Sequence, residues 1–204
     1  MAGLRIEETP KRLTLAVVLA AALLAGSGCS VVLRDQPLAS PPQTFSDPIA
    51  VRSHAEGIGQ QVGWGRWTVF SLPFNAVHII GDGNEEVMKL IAGALRHCGY
   101  QVSVVSAQEK CEAPVLSCRS KKFWFNNYTW LFPIVPTWGG IILDVTLSSP
   151  DGAVLWNKEF TGKGSTLNFG NGYTIAANEA MKSILDQMVQ EFTGAEFHGA
   201  VTRK

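Results

Sequence analysis

Two stretches of the chain repeat apolar residues at helical spacing. Val87, Leu90, Ile91, Ala94, Leu95 and Cys98 recur every three or four positions, predicting an amphipathic helix with one buried face. Asp82 and Glu85 stand at capping-box spacing before it, and Gly99 supplies the stop. A second stripe, Ala177, Met181, Ile184, Leu185, Met188 and Phe192, predicts a helix from about Thr174 to Phe192, ended by Gly194. Between them the pattern is that of strands. Trp67–Phe74, Tyr100–Val105, Val115–Phe125, Gly140–Ser148 and Ala153–Thr161 are rich in aromatic and β-branched residues. Ala76–Ile80 extends the first of these or forms its own strand. Residues 49–65 read as a short strand and then a glycine-punctuated loop, and 106–113 read as a loop. Pro150-Asp151-Gly152 marks the turn of a hairpin. Gly162, Gly164, Gly170 and Gly172 read as a loose loop.

Two amphipathic helices each need an apolar surface to cover, and the strands supply it. The order therefore predicts an α+β domain over residues 49–194, a mostly antiparallel sheet with both helices on one face. Residues 195–204 read as a polar, frayed tail.

The amino terminus carries a different pattern. Arg5, Lys11 and Arg12 precede an apolar run from Leu13 to Ala25, followed by Gly26-Ser27-Gly28-Cys29. Basic start, apolar middle and small residues describe a secretory signal over 1–28. As a helix the thirteen apolar residues reach ~20 Å, short of the ~30 Å of a hydrocarbon core. The cysteine directly after the small residues makes the segment resemble the lipobox of bacterial lipoproteins, although Gly26 stands where that family prefers a larger apolar residue. The resemblance implies that Cys29 becomes the first residue of the mature chain and carries lipid. Ser30 in the next position resembles the outer-membrane case in that family. Pro37, Pro41, Pro42 and Pro48 lie among small and polar residues, so 29–48 reads as a tether. In element order the domain is similar to small α+β envelope lipoproteins and to the amino-terminal domain of TolB-type proteins. No motif accompanies that similarity, and it transfers no functional residue.

Removal of the signal leaves 176 of 204 residues, with 14 basic and 15 acidic side chains. That balance offers no electrostatic case for nucleic acid. Three cysteines remain: Cys98, Cys111 and Cys118. In an oxidising compartment an odd count permits one bridge and one leftover thiol. All three pairings are open; Cys111 with Cys118 is the local one, and Cys98 falls on the apolar side of the first helix. The four histidines show no metal-ligand spacing, and no cofactor is expected.

Chemistry-bearing motifs are scarce. Gly162-Lys163-Gly164-Ser165-Thr166 lacks the spacing of a phosphate loop. Asp144 and Asp151 read as surface carboxylates rather than an acid/base pair. The unusual feature is the run from Phe123 to Trp138, which contains seven aromatics: Phe123, Trp124, Phe125, Tyr128, Trp130, Phe132 and Trp138. Its prolines and glycines predict a strand end running into an aromatic loop. Such a loop packs on its own sheet, docks a partner or meets a membrane interface. Phe123, Trp124, Tyr128, Trp130, Phe132 and Trp138 are the candidate contact residues. The sequence thus predicts a lipid-anchored protein on the periplasmic face of the outer membrane, a non-enzymatic subunit with an envelope protein as partner. Its alternative is a module binding a small apolar or lipidic ligand through the 123–138 segment.

Overall fold

The computed structural model describes residues 30–67, 72–106, 109, 111–129, 136–168 and 171–203. The signal, Cys29, Trp130 and Phe132 lie outside them. Eight strands and three helices are described: β1 (Ser30–Val31), β2 (Pro48–Arg52), β3 (Gln61–Trp67), β4 (Leu72–Ile79), α1 (Gly83–His97), β5 (Gln101–Val105), β6 (Val115–Thr129), β7 (Thr137–Ser148), β8 (Val154–Thr166), α2 (Gly172–Phe192) and α3 (Ala195–Val201).

The sheet is organised around β6. One edge of β6 pairs antiparallel with β7 along its length, and β7 pairs antiparallel with β8. The other edge is shared by two strands, both parallel to it. β2 takes the start of β6 through Ala50 and Val51, and β3 takes its end from Phe125 to Thr129. Between them Glu56 bridges to Arg119. β5 adds to β2 in parallel, and β4 adds to β3 antiparallel. The sheet is therefore mixed, which corrects the mostly antiparallel expectation. The reason is that β2 and β3 reach β6 by long-range parallel pairings that hydrophobic periodicity does not encode.

Ile141, Leu143, Val145 and Leu147 of β7 alternate inward, opposite Phe123 and alternate residues of β6. The apolar faces of α1 and α2 complete one core with them. Asp82 caps α1, its Oδ1 accepting from the backbone N–H of Asn84 at 2.9 Å and of Glu85 at 3.3 Å.

Several boundaries differ from the expected ones; the expected strand Trp67–Phe74 is replaced by the end of β3 at Trp67 and the start of β4 at Leu72, which pair with each other. β3 starts at Gln61, inside the expected loop. Gly63 belongs in that strand because a Cβ there would lie 1.9 Å from the Phe125 carbonyl oxygen. β8 continues through Gly162 and Gly164 to Thr166. The end of the chain is not a frayed tail: α3 buries Phe197, Ala200 and Val201. The largest difference concerns 30–47, which is no free tether. Ser30 and Val31 pair in parallel with His78 and Ile79 of β4. The chain then follows α2 in the helix direction. The Val32 N–H donates to the Thr174 hydroxyl (3.2 Å), and the Arg34 N–H to Asn178 Oδ1 (2.9 Å). Ala39 N–H meets Asp186, and the Gln43 amide reaches the Thr193 carbonyl at 2.7 Å. The proline-rich segment is a strap along nearly the whole helix, ~28 Å from Thr174 to Thr193.

Candidate functional site

The aromatic run is mostly strand rather than loop, because β6 extends to Thr129 and β7 begins at Thr137. Alternation therefore sorts its rings to two faces. Phe123 and Phe125 point to the core and meet edge to face at 5.8 Å. Phe123 is thus a packing residue, not a contact residue. Trp124, Asn126 and Tyr128 occupy the opposite face. Trp124 is half-buried, and its indole N–H donates to Asn126 Oδ1 at 3.3 Å. Tyr128 stacks on Trp138 of β7 with centroids 4.8 Å apart and planes 7° from parallel. Trp138 is 43% exposed. Trp64 of β3 pairs in register with Asn126, which brings it to the same face.

This end of the sheet gathers other elements. β4 and β7 start there, β3, β6 and β8 finish there, and α2 begins there with Gly172 packed close to Thr137. Leu167, just after β8, is 68% exposed, and Ile175 in the first turn of α2 is 38% exposed. β1 lies beside His78 and Ile79, at the finish of β4 and so set back from this end. It runs parallel to β4, so its start faces the aromatic rows, and the Thr174 hydroxyl of α2 donates to the Ser30 carbonyl at 3.2 Å.

Charge is distributed with equal bias. No Asp or Glu occurs among the described residues of 57–81, 120–143 and 160–178, from which the strands and the helix start that meet at this end come. Their described residues hold Arg66, Lys121, Lys122 and Lys163, together with Trp64, Trp124 and Trp138. Lys122 and Lys163 are exposed. α2 starts with no acidic residue in its first turn and no side-chain cap bond, so its dipole adds positive potential. The first carboxylate on α2, Glu179, accepts the Ser165 N–H at 2.8 Å. Lys121 is tied lower down to Asp144 (3.2 Å) and Glu159 (2.9 Å). The gap in acidic residues is a signal visible in the sequence, yet it emerges only when the three stretches are known to meet.

The expected Cys111–Cys118 bridge is absent: both are free thiols, as is Cys98. Cys118 shares the core face of β6 with Leu116, whereas Cys111 packs with Ala50, Val105 and Val115 on the other side. Burial pushes the Cys98 thiol up to about 11. Burial, then the nearby Asp144 charge, pushes Cys118 up to about 12. Asp144 is held below the usual carboxylate range by the Asn157 amide and by Lys121. Asp151 sits in its turn, bonded to the Ser149 hydroxyl, which keeps its carboxyl low.

Grooves lie elsewhere on the described surface. One of 730 Å³ is lined by Arg52, His54, Glu56, Arg119 and Asp144 among others. Another of 290 Å³ runs between α1 and β2, with Met88, Ala92 and Val104. Neither includes Phe123, Trp124, Tyr128 or Trp138. His54, Asp82 and Glu85 cluster beside the second groove, but Asp82 caps α1 and Glu85 pairs with Lys89 at 2.8 Å. Among the described residues no helix is long and apolar enough to cross a membrane.

No family model matches this chain. No curated protein matches it. Its fold is shared with protein XCC0632 from Xanthomonas campestris, a structure described with family model DUF330. The TM-score is 0.60 at 13% identity, covering 84% of this chain and 99% of that one. The chain is also similar to the PelC dodecamer from Paraburkholderia phytofirmans, with a TM-score of 0.35 at 16% identity over 72% of this chain and 93% of that one.

Proposed function

We propose that this protein is a lipid-anchored component of the bacterial envelope, seated on the periplasmic face of the outer membrane, that acts by contact as an accessory or structural subunit rather than by catalysis. One observation carries the reading: the cysteine that ends the lipobox-like signal immediately precedes a strand built into the sheet. Consecutive Cα atoms are ~3.8 Å apart, so lipid on Cys29 would hold the folded body itself at the bilayer. Several acyl chains make such an anchor durable, since each buried CH₂ contributes ~0.8 kcal/mol.

The thiols favour the same reading. A catalytic thiol needs a low pKa and access, and Cys98 and Cys118 have neither. Crosslinking in native membranes, followed by identification of neighbours, tests the assignment. A partner protein recovered in near-equal amount is the expected outcome. Recovery of this chain alone, at the native mass of a monomer, would argue against a subunit role.

A further inference from the structure

We infer that the end of the domain bearing Trp124, Tyr128, Trp138, Leu167 and Ile175 is a membrane-docking surface that lies in the headgroup layer of an anionic leaflet. This rests on the lipid-anchored reading above for the choice of a bilayer as occupant.

Three independent observations converge on that occupant. Six large apolar side chains are exposed among the described residues, and three of them, Trp138, Leu167 and Ile175, stand at this one end. The aromatic members are Trp and Tyr, whose rings tolerate an apolar side and a wet side together, as the interface of a bilayer requires. Tyr128 and Trp138 are already stacked, so inserting them orders little that was free.

The second observation is charge complementarity. Lys122 and Lys163 are exposed on the same face as Trp124 and Trp138, through their pairings with Ile142 and Gly140. The described residues of 57–81, 120–143 and 160–178 contain no carboxylate to repel lipid phosphates. Basic side chains beside an anionic leaflet are attracted within a Debye length.

The third is where the chain leaves the structure. β1 begins at Ser30 and faces this end, held by β4 and by Thr174. A bilayer holding lipid at Cys29 therefore meets this end first. The opposite end, closed by α3 with Phe197 against Trp156 and Phe192, points away. A lipid chain and a basic aromatic patch are the two signals that together give stable, oriented attachment.

The test uses the full-length protein purified from its own membranes and returned to phosphatidylethanolamine–phosphatidylglycerol vesicles. In one set the acyl chains are brominated near the headgroup. The protein should float with the vesicles, and bromine should quench its tryptophan emission by roughly twofold, because the rings lie at headgroup depth. Trp138→Ala should lose a large part of that quenching while keeping the same circular dichroism and flotation. Lys122→Glu with Lys163→Glu should weaken quenching in anionic vesicles. Flotation without quenching would overturn the docking and leave the lipid anchor standing. Rings shielded from both bromine and aqueous acrylamide would mean a protein cover, and would overturn it too. Intact mass of the same sample reports lipid on Cys29: quenching with a bare thiol supports docking and removes the anchor.

Discussion

Cys98 and Cys118 behave as small apolar side chains. Cys98 is fully buried, its Sγ lying 3.9 Å from the Val189 carbonyl, and Cys118 is 3% exposed on the inner face of β6. Their thiols ionise at about 11 and about 12 instead of 9.0, because a thiolate there would be desolvated. The folded state holds these protons more tightly than the unfolded state. The stability they contribute is therefore complete below pH 9.0 and is lost as the pH rises through about 11 to 12. Thermal denaturation should show Tm falling over that window, and less so in a Cys118→Ala variant. At pH 8, iodoacetamide should modify Cys111, which is partly exposed, while Cys98 and Cys118 react only after denaturant is added. Rapid native labelling of Cys98 would contradict this. The place of Cys98 was readable from helical periodicity. That of Cys118 was not, because nearness to Cys111 in sequence says nothing about which face of β6 each occupies.

At the level of elements, α2 is held by backbone approach as much as by apolar contact. Gly162 and Gly164 occupy the inner face of β8. A Cβ at Gly162 would lie 2.0 Å from the Ala180 carbonyl oxygen, and one at Gly164 would lie 1.8 Å from that of Ala176. Ala176, Ala177 and Ala180 are small for the same reason, and all are fully buried. Gly164→Val should therefore destabilise the fold by about 3 kcal/mol or more, as backbone against backbone cannot relax by a rotamer change. Urea unfolding checks it: a lowered midpoint with unchanged slope is expected, and a neutral result would contradict the packing. Asn178 makes the second element-scale prediction. Its Nδ2 donates to the Val32 carbonyl at 2.7 Å and its Oδ1 accepts from Arg34 at 2.9 Å, so it binds the strap from both sides. Asn178→Ala should cost about 1–3 kcal/mol and speed amide exchange at Arg34. The two long helices were legible because 3.6-residue periodicity is a local signal. The end of β8 was misread because glycine is ordinarily punctuation, and here it makes room for a helix. The strap was misread because proline excludes it from the sheet ladder, yet leaves carbonyls and N–H groups that side chains of α2 can satisfy.

Over the whole molecule, a mixed sheet collects strand starts and finishes so that one end is basic and aromatic, and the start of β1 points toward it. Little of that was visible along the sequence. The aromatic run stood out, but its division between core (Phe123, Phe125) and surface (Trp124, Tyr128, Trp138) depends on strand alternation through a segment read as loop. Parallel pairing of β3 with β6, which adds Trp64 to that surface, joins residues about sixty positions apart and has no local signature. The proposed lipid attachment, by contrast, rests on the sequence alone, since Cys29 precedes the described residues. That one covalent bond would give the fold, the strap and the charge distribution a shared functional sense. Intact-mass spectrometry of the protein extracted from native membranes tests it most directly. The account predicts a chain beginning at Cys29 with the mass of a diacylglyceryl thioether and an amide-linked acyl group added. A chain beginning at any other residue, or beginning at Cys29 with an unmodified thiol, would contradict it.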